Sequence, residues 1–262
     1  MTAPIPRDIP ELPAIPRTHA LLPSAVPAAA VVTPVRRTLA AILRLLIAAV
    51  AAAGVTLALL LGSPLQVLSH FSVQSAILLA LATAASARRA WTARKPLSAA
   101  VTGAALLYSM ASALAYHLLL ADTSPPFSIT NPGGAPPTGW HALPNVLLHT
   151  AVPAAATLDW LLLTPSGRLR LRQAAPWLLY PLAYLAFTLT RAELITPGSP
   201  TRYLYPFLDV DTDGYKNTLA NALLLGLALY TLAILLAALD RVRPNPLRHR
   251  WKTGFRLQPP VG

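Results

Sequence analysis

The chain is 262 residues long, 55% hydrophobic and 11% charged, with a mean hydropathy of +0.52, which excludes an ordinary soluble domain and points to a multi-span membrane protein. Zero cysteines exclude disulfides, thiol nucleophiles, thiolate zinc sites and iron–sulfur clusters. The formal net charge of +12 would suit nucleic acid, but most Lys and Arg flank apolar segments, where they encode topology. No nucleic acid partner is therefore expected, and the expected location is the cell membrane.

Residues 1–35 contain eight prolines and no sustained periodicity, so they read as a disordered, proline-rich tail. The first apolar run lies too far from the N-terminus, and is too long, for a cleavable signal. Residues 36–240 read as one transmembrane domain, an all-α bundle of six helices. Its segments are predicted at Leu39–Leu61, Phe71–Ala87, Leu97–Ala121, Leu143–Leu163, Ala174–Thr190 and Leu219–Leu239, each near the roughly 17–25 residues that a crossing needs. Residues 241–262 form a basic tail.

Charge placement orients these segments. Arg36 and Arg37 precede the first; Arg88, Arg89, Arg94 and Lys95 separate the second and third; Arg168, Arg170 and Arg172 separate the fourth and fifth; Arg241, Arg243, Arg248, Arg250, Lys252 and Arg256 follow the sixth. The other connections hold only Arg191, Arg202 and Lys216. Six crossings with both termini cytoplasmic satisfy this alternation, and the basic connections are expected to touch anionic lipid. Arg44, inside the first segment, is expected to snorkel to the cytoplasmic interface.

The fourth segment carries His149 at membrane depth, about 9 Å from its start. An ionisable group there is by default a functional-site candidate whose partner should be sought. Pro153 stands four residues later, where its missing N–H frees the His149 carbonyl and should bend the helix. Freed backbone at that depth suggests an internal cavity. Asn145, one turn earlier, can hold the ring.

Other unusual polar residues fall at the same depth: Ser72, Gln74 and Ser75 at the start of segment two, Tyr116 and His117 at the end of three, and Arg191 at the end of five. Taken singly, each has a plain structural role. His117 and Arg191 can cap helices at the interface, and Ser72 and Ser75 can be hydrogen-bonding glue between helices. Asp159, roughly 15 Å along the helix from His149, is expected to pair with an arginine at the cytoplasmic side. Tyr205-Pro206-Phe207 reads as an aromatic wedge closing over His149. The run Asp209-Val-Asp-Thr-Asp-Gly214 has the opening spacing of a calcium loop, but Ala220 occupies the closing position where glutamate is needed.

A hydroxyl and an imidazole on neighbouring helices can form a nucleophile–base pair for acyl transfer, here with Ser72 as nucleophile and His149 as general base. The substrate would be a membrane lipid ester, and no cofactor or metal is called for. Phe-Ser-Val-Gln-Ser75, Leu-Leu-His-Thr-Ala-Val-Pro153 followed by Asp159-Trp160, Trp-Leu-Leu-Tyr-Pro181, and Tyr-Pro-Phe-Leu-Asp209 together resemble the androgen-induced-gene family of membrane hydrolases and its bacterial relatives. The likeness runs over roughly residues 38–240. It implies a six-helix membrane fold and hydrolysis of fatty acid esters by an intramembrane Thr and His; by position these fall on Ser72 and His149, so serine replaces threonine, and Ala76 stands where Asn is expected. Two other readings compete: a non-catalytic lipid-binding or transport protein, and a metal or haem protein using His70, His117, His141 and His149.

Overall fold

A computed structural model describes residues 36–124, 126–131 and 137–244; the proline-rich tail and all but the start of the basic tail lie outside them. The described residues are helical, without strands. Five helices are long and apolar enough to cross a membrane: Thr38–Leu61, Phe71–Trp91, Ala99–Leu120, Gly139–Leu163 and Val210–Val242. Leucines such as Leu60, Leu81, Leu223 and Leu224 are at least 65% exposed. An apolar exterior on this scale suits lipid. The interior of the bundle is built from small residues, with Ala51 and Ala58 of the first helix and Ala76, Ala82 and Ala87 of the second all buried. Close backbone approach of this kind drives helix association where lipid removes the hydrophobic force.

The fifth predicted segment is not one continuous helix. It forms Ala174–Trp177 and Leu179–Glu193, and neither piece reaches the length of the five long helices. Proline explains the break: Pro181 can offer no N–H to the carbonyl of Trp177. The sixth segment is longer than predicted, Val210–Val242, because Asp209 caps its N-terminus by accepting from the backbone N–H groups of Asp211 and Thr212. Gly214, at φ 73° and ψ 157°, kinks it after its first turn. The calcium-like run is thus spent on a helix cap and on an ion pair, Asp211 with Arg202 at 3.3 Å. A short helix, Pro64–Ser69, precedes the second long helix and was not expected.

At the arginine-rich end of the bundle lies a buried polar network. Asp159 pairs with Arg44 at 2.9 Å, as the sequence suggested. Arg44 does not snorkel: it is 8% exposed, and its Nη2 also donates to Thr164 Oγ1 at 3.2 Å. The carboxylate of fully buried Asp240 accepts from Trp160 Nε1 at 3.1 Å, the backbone N–H groups of Arg168 and Leu169 at 2.6 and 2.8 Å, and Arg243 at 2.8 and 3.0 Å. These bonds tie the fourth segment, its following loop and the last helix together.

Candidate functional site

The opposite end of the bundle holds the predicted site residues. The Phe71–Trp91 helix begins in the protein interior, where its first N–H groups need acceptors. His70, at the N-cap position, gives none from its side chain. Two tyrosines serve the first of them, since the Phe71 N–H points at the Tyr184 and Tyr205 hydroxyls, each 3.1 Å away. Tyr184 Oη in turn donates to the Ser69 carbonyl at 2.9 Å. Ser72 is the second residue of this helix and 2% exposed; its Oγ has no hydrogen-bond partner among the described residues. The Tyr205 hydroxyl lies beside it without forming a well-aligned bond. Burial pushes the Tyr205 phenol up in pKa, so it remains a neutral donor.

Around His149 the helix changes its winding. Leu147–Ala151 is a π-helical turn that ends two residues before Pro153, the local form that a missing N–H and a displaced carbonyl favour. The ring's Nδ1 donates to the Asn145 backbone carbonyl at 3.1 Å, which leaves the Nε2 lone pair as the acceptor of a neutral imidazole. Asn145 does not hold the ring through its side chain. Its amide instead pins the preceding connection, donating to the Phe127 carbonyl at 2.9 Å and accepting from the Ile129 N–H at 3.3 Å. The expected cavity around His149 is filled. Tyr116 stacks on the imidazole at 4.4 Å and Phe127 meets it edge-on at 5.9 Å, leaving the residue 1% exposed.

No hydrogen bond joins Ser72 to His149. They are linked through rings: Tyr205, beside Ser72, stacks on Phe127 at 5.8 Å, and Phe127 contacts His149. Phe207 extends this stack by packing on Tyr205 at 5.2 Å, while the rings against His149 itself are Tyr116 and Phe127.

The remaining candidates do structural work. Ser75 Oγ donates back to the Ser72 carbonyl at 2.9 Å. Gln74 bridges the Leu68 carbonyl and the Tyr180 hydroxyl at 2.9 and 2.8 Å. Arg191 holds the carbonyls of Thr201 and Arg202 at 2.9 and 3.2 Å. His117 lies on the exposed face of its helix, bonded to Thr150 Oγ1 at 3.0 Å.

His70, which the sequence suggested only as a metal or haem ligand, is the further histidine at this end. It is 1% exposed, its Nδ1 lies 3.0 Å from the Gln66 carbonyl, and it meets Phe127 and Tyr205 edge-on at 5.9 and 6.0 Å. Burial lowers its pKa to about 4, so it is neutral near pH 7. Its position in Ser-His-Phe-Ser72 was the available signal. Among the described residues no three His, Asp or Glu side chains converge as a metal site. Comparison with protein-family models, curated proteins and solved structures finds no match to this chain.

Proposed function

We propose that this chain is a six-span membrane hydrolase of lipid esters, both termini cytoplasmic, in which Ser72 is the nucleophile and His149 the general base. The observation that carries the reading is the buried, unpartnered Ser72 Oγ at the start of a 21-residue helix. An orphaned buried hydroxyl is costly unless a ligand or reaction uses it, and a helix N-terminus stabilises negative charge developing on that oxygen. The tautomer favoured at His149, with Nδ1–H on a carbonyl, suits a base acting through Nε2. In this reading the Tyr205 hydroxyl beside Ser72 donates to the oxyanion. The resemblance to the androgen-induced-gene family supports the same pair and the ester substrate.

In the proposed reaction the Tyr205 and Phe127 rings that link the two residues shift aside, and His149 takes the Ser72 proton as Oγ attacks the acyl carbon. The alcohol leaves with that proton, and water then releases the fatty acid by the reverse sequence. The full chain in phosphatidylcholine nanodiscs should hydrolyse a fluorogenic fatty ester and take up a serine-directed fluorophosphonate. Labelling should vanish in Ser72→Ala and fall about a hundredfold or more in His149→Ala. Equal labelling of wild type and both variants overturns the assignment. Loss in His70→Ala but not His149→Ala transfers the base role to His70.

A further inference from the structure

A second polar site occupies the opposite end of the bundle. There a cavity of about 70 Å³ is lined by Arg37, Arg44, Arg94 and Arg168 together with Asp159 and Asp240. Both acids are already committed: Asp159 to Arg44, and Asp240 to Arg243, two backbone N–H groups and Trp160. Arg37, Arg94 and Arg168 have no carboxylate partner among the described residues.

Arg168 is the most constrained of the three. It is half-buried, and among the described residues its side chain makes one bond, Nη2 to the Leu97 carbonyl at 2.8 Å, which leaves most of its N–H donors open among them. Burial lowers its pKa, and the nearby positive charges of Arg37 and Arg44 lower it further. Asp240 offsets part of this, but a partly buried guanidinium with the exposed Arg37 and Arg94 at the rim of the same cavity gains from an anion that joins them.

We propose that this cavity binds the phosphate group of a phosphomonoester or phosphodiester, with Arg168 as its main ligand and Arg37 and Arg94 neutralising the remaining charge. Planar guanidinium forks match phosphate oxygens in pairs. The cavity is far smaller than the several hundred Å³ typical of sites that enclose whole drug-sized ligands, so it takes the phosphate and leaves the rest of the molecule outside. Basic connections beside membrane helices face lipid headgroups at this depth. The ligand is therefore either a phospholipid headgroup or a soluble phosphate compound. The site is independent of the Ser72 chemistry.

The test uses full-length protein in micelles of an alkyl maltoside, whose headgroup carries no phosphate, followed by thermal unfolding. One arm adds inorganic phosphate against chloride at matched ionic strength. The other adds phosphatidylglycerol to the micelles. A saturable rise of about 5 °C is expected in one arm, and the responding arm identifies the source. Arg168→Gln should weaken the apparent affinity about tenfold or more, and Arg37→Gln should weaken it as well, giving a second reading if Arg168→Gln folds poorly. Arg172→Gln, an exposed arginine of the same connection outside the cavity, should leave it unchanged. No response in either arm, or an equal loss in Arg172→Gln, overturns the proposal.

Discussion

The Tyr108 hydroxyl donates at 2.8 Å to the Trp177 carbonyl, the acceptor that Pro181, four residues on, cannot reach. One side chain from the third long helix thereby repairs the break in the fifth segment. Tyr108→Phe leaves that buried carbonyl unpaired and should destabilise the protein by about 1–3 kcal/mol. Thermal unfolding in nanodiscs measures this. Tyr180→Phe, which loses a half-buried bond to Gln74, should cost clearly less.

The same contact region sets a limit on residue size. A Cβ on Gly103 would lie 2.7 Å from Trp177 Cζ2 and 2.8 Å from Leu169 Cδ2. The Trp177 ring cannot easily yield, because its Nε1 is bonded to the Ala100 carbonyl at 2.9 Å. Gly103→Ala should therefore cost about 1–3 kcal/mol by overpacking, seen as a lower unfolding midpoint with unchanged mass and oligomeric profile.

Asp240 concentrates more stabilising contacts than any predicted site residue. Replacing it with Asn sets an NH2 against donors and leaves Arg243 without its counter-charge. A loss of about 3–5 kcal/mol is expected. Because Arg243 makes a cation–π contact with Trp160 at 4.8 Å and bonds to the Leu161, Thr164 and Pro165 carbonyls, Asp240→Asn and Arg243→Gln should be non-additive in a double-mutant cycle.

His70 gives the protein an acid limit. Its folded pKa is about 4, below the ordinary 6.5, so the unfolded chain binds the proton more readily. The stability in question is fully present above about pH 6.5 and is lost as pH falls towards about 4, by up to about 3 kcal/mol. Unfolding midpoints across that range should slope downwards with acidification, and His70→Gln should flatten the slope. An unchanged slope in the variant would assign the acid sensitivity elsewhere.

The sequence was most legible where one physical rule acted alone. Apolar length located the five long helices, Pro153 marked the altered winding at His149, and an arginine partner for Asp159 followed from its place among basic connections. It was less legible where two rules competed. Leu179–Glu193 is apolar enough to continue a span, but proline splits it from Ala174–Trp177; Arg44 was close enough to the interface to snorkel, but Asp159 holds it inside. His70 was obscured because a histidine between two helices looks like an interfacial residue until the packing of Phe127 and Tyr205 around it is seen. Nothing in the spacing of His149 and Phe127, which lies within the long connection before the fourth segment, foretold that an aromatic ring would fill the space expected to be open.

The interruption at Leu178 also bears on the surrounding bilayer. The unbroken stretch Leu179–Glu193 is 15 residues, a rise of roughly 22 Å against a hydrocarbon core of about 30 Å. Serving alone as the remaining crossing of the proposed six-span arrangement, this stretch is short enough to draw the leaflets together at its flank. Tyr184, on that stretch, caps the helix that carries Ser72, so the bilayer is expected to be thinnest beside the proposed nucleophile. Water and ester carbonyls there would need to travel less far from the headgroup layer than anywhere else around the bundle.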